Sequence, residues 1–236
     1  MSAVMLLTDV TKTYPGTPPV QALISVTMSI GAGERVAVLG PSGSGKTTLL
    51  HVLGTLERPT SGTVRIGGQE LSALSDAELS AVRAHRLGFV FQNFHLLDHL
   101  DAVGNVALGL LYWGSSHRER ASTAVDALGR VGLGHRLTHQ PGQLSGGEKQ
   151  RVAIARAIAA KPAVLLADEP TGNLDSATGA EIVSLLAQLA DDGTAIVVVT
   201  HDAGIAAAMD REVMVRDGRI ISDARTSRQT SLLESR

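Results

Sequence analysis

Apolar positions along the chain fall into two kinds of short run. Within residues 4–36, "VMLLTDV" and "ISVTMSI" alternate with the turn signals "YPGTPP" and "GAGE", and "GTVRIGG" (62–68) has the same character. Stretches punctuated this way predict a mainly antiparallel sheet. By contrast, "RVAVLG" (35–40), "LGFVFQ" (87–92), "AVLLAD" (163–168) and "TAIVVVT" (194–200) carry the dense apolar runs of buried strands. "REVMVRDG" (211–218) reads as one further strand. Between them, "LDAVGNVALGLLYW", "RERASTAVDALGRVGL", a stretch at about 147–160 and "SATGAEIVSLLAQLA" (176–190) suit helices. Strands alternating with helices predict an α/β fold with a mostly parallel sheet and right-handed crossovers. The helical stretch from 93 to about 150 then reads as an insertion into that core. A polar tail is expected from Ala224 to the end, leaving 1–223 as one domain.

Composition narrows this picture. Aromatic residues make up only 3% of the 236 positions, so aliphatic side chains and alanine must fill the core. A formal net charge of −2 gives no reason to expect nucleic-acid binding through bulk charge. There is no cysteine, which excludes disulfides and thiolate metal sites. No apolar run approaches the ~18 residues of a membrane span, and no signal-peptide pattern opens the chain. The expectation is a soluble, cytoplasmic protein.

Two glycine-bearing segments carry the chemistry. "GPSGSGKTT" (40–48) fits G-x-x-x-x-G-K-[ST] between a predicted strand and helix, the setting in which that pattern cradles phosphates. Gly40, Gly43 and Gly45 free the backbone N–H groups to face an anion at a helix N-terminus. Lys46 would neutralise the β- and γ-phosphates, Thr47 would offer its hydroxyl to Mg²⁺, and Ser42 and Thr48 would add phosphate bonds. A P-loop NTPase core is therefore expected. "AVLLADEP" then delivers Asp168 and Glu169 to the C-terminal end of a strand, where sites of open α/β sheets lie. Asp168 suits a magnesium anchor, and Glu169 suits the residue that polarises the attacking water. The second segment, "LSGGEKQR" (144–151), places Ser145, Gly146 and Gly147 at the head of another predicted helix. Alone, it reads as an ordinary serine cap with two flexible glycines.

The order "GPSGSGKTT", Gln92, "LSGGEKQR", "LLADEP", "NLD" and His201 resembles the ATP-binding-cassette family over nearly the whole chain. That resemblance implies an ATPase subunit working with ATP and Mg²⁺. It also implies that two copies pack head to tail, so that Ser145, Gly146 and Gly147 of one copy face the γ-phosphate held by Lys46 of the other. Gln92 resembles the family's glutamine that reaches Mg²⁺ and the attacking water. His201 resembles its switch histidine, and Asp175 its interface loop, with a plain helix cap as the rival reading. Tyr14 resembles the aromatic that stacks on adenine, with simple packing at a strand end as the rival reading. Phe94, Leu96 and Leu97 are candidates either for docking a membrane subunit or for core packing.

Phrases such as "FVFQNFHLL", "DAVGNV" and "ADEPTGNLD" look most like cassettes of the macrolide-export and lipoprotein-release group. The implied partner is an integral membrane permease on a separate chain, and the implied location is the cytoplasmic face of the inner membrane. An importer subunit and a non-transport regulator of a membrane complex remain open beside that reading.

Overall fold

The computed structural model describes residues 3–226. Strands β1 (Ala3–Tyr14), β2 (Val20–Gly31), β4 (Ser61–Ile66) and β5 (Gln69–Glu70) form an antiparallel sheet in the order β2-β1-β4-β5. A second sheet has the order β10-β9-β3-β8-β7-β6, built from β3 (Arg35–Leu39), β6 (Leu87–Phe91), β7 (Val164–Asp168), β8 (Ala195–Val199), β9 (Arg211–Arg216) and β10 (Arg219–Arg225). All its pairings are parallel except β9–β10. The "DG" at 217–218 therefore turns a hairpin where one strand was expected, because Gly218 takes the positive φ that a tight turn needs. β10 continues through Arg225, so Ala224 and Arg225 are strand rather than tail. Residues 227–236 of the expected tail lie outside the described residues.

The central strands show why their runs are apolar throughout. Val36, Val38, Val164, Leu166, Ala195, Val197 and Val199 enter one buried cluster with the antiparallel sheet and helix α1 (Lys46–Leu53). Ala37, Leu165, Ala167, Ile196 and Val198 enter the other, with the helices of the opposite layer. Alternate side chains point to opposite faces, so a strand covered on both sides needs apolar residues at every position.

Helices α3 (Ala102–Ala107), α4 (His117–Arg130) and α5 (Gly146–Ile158) pack on one another and supply much of that second layer, beside α6 (Ser176–Asp191). Asn105 staples this helical region. Fully buried, it accepts from the Leu97 amide at 2.7 Å and donates toward the carbonyls of Leu97, Leu100 and Asp101 at 3.1 Å. Two helices were not anticipated, α2 (Asp76–Arg86) and the short α7 (Ala203–Ala207).

Candidate active site

Because β3, β6, β7 and β8 run parallel, their C-terminal ends share one edge of the sheet. That edge receives the loop after β3, Gln92 after β6, Asp168 and Glu169 from β7, and His201 after β8. Motifs spread over some 160 residues of chain thus meet through strand direction alone.

The glycine loop opens directly into α1. Gly45 is its N-cap at φ 104°, and no side chain caps the helix. A Cβ here would run into the carbonyl oxygen of Ala22, so both conformation and space require glycine. The first-turn amides are left for an outside acceptor, which makes an anion-binding helix end. Lys46 Nζ spans the loop, donating to the carbonyls of Gly40 at 2.8 Å and Pro41 at 2.9 Å. Above it lies a cleft of about 430 Å³, lined by Val20, Gln21 and Ala22, by Gly43 to Thr48 except buried Ser44, and by Asp217 and Gly218.

Glu169 has a left-handed backbone at φ 46°, unusual for a residue with a side chain and costing about 1 kcal/mol or more. Its amide bonds the Val199 carbonyl at 2.9 Å, which fixes this turn against β8. The carboxylate is held from two sides: Oε1 lies 2.7 Å from His201 Nδ1, and Oε2 accepts from Thr200 Oγ1 at 3.4 Å. His201 itself is largely exposed, so the pair reaches from the sheet edge into solvent. Burial, followed by the charge of Glu169, pushes the Asp168 carboxyl above its ordinary pKa, while His51 and Lys46 pull the other way. Magnesium fits these donors: one carboxylate and a threonine hydroxyl are hard oxygens, and the remaining positions fall to water and phosphate. Among the described residues no cluster of three or more His, Cys, Asp or Glu forms a complete metal cage.

Gln92 is held by Asn173, the first residue of "NLD", to which the motif reading gave no role. Its Nε2 donates to Asn173 Oδ1 at 3.2 Å, and Asn173 Nδ2 donates to the Gln92 carbonyl at 3.0 Å. These two hydrogen bonds tie the glutamine to the loop following Glu169. Among the other candidates, Leu96 packs against the helical core, Phe94 is half-buried and Leu97 is 43% exposed.

The second glycine segment is built differently. Ser145 caps α5 in a reciprocal box: its Oγ accepts from the Glu148 amide at 3.2 Å, and its own amide donates to Glu148 Oε2 at 2.8 Å. Glu148 is anchored in turn by Arg136 at 2.9 Å. Gly147 permits close packing on α6, since a Cβ there would strike the Thr178 methyl group. Asp175 caps α6, accepting from the Thr178 amide at 3.0 Å and hydroxyl at 2.7 Å. Within the chain, then, Ser145 to Gly147 associate with the start of α6, and their hydrogen bonds do not reach the lysine loop.

Comparison with known proteins now decides the family. The model for ABC transporters matches residues 23–172. The chain belongs to the ABC transporter family. It is 48% identical over 225 residues to the lipoprotein-releasing system ATP-binding protein LolD of Geobacter metallireducens, covering 94% of this cassette and 100% of that protein. It is 46% identical over 227 residues to the macrolide export ATP-binding/permease protein MacB of Photorhabdus laumondii, covering 96% of this chain but only 35% of that protein. The cassette thus spans about a third of that fused relative. Among solved structures, a dimeric, post-hydrolysis state of the ATP-binding cassette MJ0796 bound to ADP and Pi matches with a TM-score of 0.85 and 44% identity, over 94% of this chain and 98% of that one. The α/β architecture, with its antiparallel and mostly parallel sheets, is that of an ABC ATPase cassette. No helix among the described residues is long and apolar enough to cross a membrane.

Proposed function

We propose that this cassette binds and hydrolyses ATP as a head-to-tail pair of identical subunits, and so drives an integral membrane permease carried on another chain. The observation that carries this reading is the Glu169–His201 pair, 2.7 Å apart, standing at the same sheet edge as the Lys46 loop. Lys46 and the amides around Gly43 and Gly45 bind the β- and γ-phosphates, with Ser42 and Thr48 adding hydroxyl donors. Thr47, Asp168 and Gln92 would hold Mg²⁺, which when bound supplies charge neutralisation between those phosphates. Tyr14 stacks on the adenine.

Glu169 accepts a hydrogen bond from the attacking water and aims its oxygen at the γ-phosphorus. His201 fixes the carboxylate through Nδ1 and contacts the γ-phosphate. Ser145 and the amides of Gly146 and Gly147, at the N-terminus of a partner's α5, complete the site. Loss of the γ-phosphate removes the anion that joins the two copies, so hydrolysis reopens the pair. The helical region, including exposed Leu97, carries that motion to the permease at the cytoplasmic face of the membrane.

The names of the MacB and LolD relatives favour an export or extraction role. Turnover of Glu169→Gln, measured with the permease present, tests the chemistry. A fall of about 10² to 10³-fold with ATP binding retained is expected. Near-normal turnover would remove Glu169 from its role.

A further inference from the structure

Glu57 lies just beyond α1 and outside every motif considered above. Its carboxylate nevertheless gathers three side chains from two distant elements, β1 and α1. Oε2 accepts from the Tyr14 hydroxyl at 2.6 Å and lies 3.1 Å from Lys12 Nζ, while Oε1 lies 3.3 Å from His51 Nδ1. The Tyr14 hydroxyl also meets Thr48 Oγ1 at 3.5 Å. Lys12 Nζ stands over the Tyr14 ring, 5.0 Å from its centroid. The ring is therefore tied at its hydroxyl end and has a cation over one face.

The position of that ring gives the arrangement its meaning. Tyr14 is paired with Val20 across β1 and β2, so the two side chains share a face of the ribbon. Val20 in turn lines the cleft above Gly43, Lys46, Thr47 and Thr48. Tyr14 does not itself line the cleft, but its strand partner does and its hydroxyl reaches Thr48, so the ring stands beside the phosphate loop. Burial and the hydrogen bond to Glu57 raise the phenol above its ordinary pKa, so it stays a donor to the carboxylate.

We propose that Glu57 is a positioning residue for nucleotide binding, holding the Tyr14 ring by its hydroxyl as a fixed platform for the purine base. This inference rests on the reading of Tyr14 as that platform. A ring already fixed in orientation loses little further freedom when a base stacks on it, whereas a loosened ring pays that entropy at binding. The benefit belongs to the base alone and leaves contacts to the phosphates unchanged.

Calorimetric binding of ATP and of inorganic tripolyphosphate to the full chain separates the two effects. Glu57→Gln keeps the size of the side chain and removes its charge. It is expected to weaken ATP about fivefold and to change tripolyphosphate by less than about twofold. Tyr14→Phe keeps the ring but not the tether and should show a similar loss. The double variant should bind ATP no more weakly than the worse single variant, because both changes act on one interaction, the glutamine weakening it and the phenylalanine removing it. Full ATP affinity in both Glu57→Gln and Tyr14→Phe, with a loss in Tyr14→Ala, would overturn the positioning role and leave the platform standing. Full affinity in Tyr14→Ala would overturn both. Equal losses for ATP and tripolyphosphate would assign Glu57 to the phosphate loop and also overturn the proposal. If Glu57→Gln fails to fold, Tyr14→Phe decides alone, and unchanged ATP binding there refutes the tether.

Discussion

Two helices in this cassette begin with glycine-bearing segments, and they finish their N-termini in opposite ways. α1 starts at Gly45 in a left-handed conformation with no side-chain cap, and a lysine crosses the loop before it. α5 starts at Ser145 with a reciprocal serine–glutamate box braced by Arg136. The first end offers its amides together with a cation, the requirement for holding several negative charges at once. The second has its Glu148 and Ser145 amides satisfied within the chain, leaving the shorter Gly146–Gly147 face and the serine hydroxyl proton for an outside anion. On the proposed reading, the first end is the strong phosphate site and the second a weaker one, braced by its own cap. A weak, braced site is suited to closing over a phosphate that is already held elsewhere.

The largest way to break this asymmetry is Lys46→Ala. Removing the only cation of the loop should weaken ATP binding by about 100-fold or more, measured by calorimetry, because the triphosphate loses its main charge partner. Gly147→Val attacks the other end through packing. The new side chain meets Thr178, so unfolding free energy should fall by about 2 kcal/mol in a denaturant titration, with ATP affinity of the single subunit retained. Ser145→Ala should cost about 1 kcal/mol through the lost cap and likewise spare binding.

The smallest effect is expected at Asp168, and its sign runs the other way. Because burial and Glu169 raise its pKa in the folded state, the native protein holds this proton more tightly than the unfolded chain. Stability contributed by this group is present below the ordinary aspartate range and declines as pH rises through the elevated native value. Asp168→Asn removes that decline, so its melting temperature at neutral pH should exceed that of the parent by about 2 °C. Magnesium-dependent nucleotide binding should fall in the same variant.

How much of this was legible in the sequence depended on distance along the chain. The buried strands, the phosphate loop and the α5 start were readable because each is a local pattern. Asp168, Glu169, Gln92 and His201 lie at or just after strand ends, and Lys46 opens α1 directly after the glycine loop, so each stands next to a local pattern. Their partners were less visible: Asn173 sits 81 residues from Gln92, and Glu57 sits 43 from Tyr14. No spacing rule links residues joined only by tertiary packing. Helix α2 was missed for a different reason. Its "SDAE" cap is written in the sequence and forms a full capping box, but Leu79 is the only residue it buries deeply. A helix resting so lightly on the core gives little apolar periodicity to read. The hairpin at 217–218 was missed because β10 exposes nearly all of its side chains and gives no apolar pattern to read, although Asp-Gly is a strong turn signal.

The central claim is that Ser145 to Gly147 serve the nucleotide of a second copy. It is tested most directly by light scattering coupled to gel filtration on Glu169→Gln, alone and combined with Ser145→Arg, in ATP and Mg²⁺. The account predicts a dimer for Glu169→Gln, and for the double variant a monomer that still binds ATP with the affinity of the parent subunit. A double variant that forms the dimer, or one that loses ATP binding as a monomer, would contradict it.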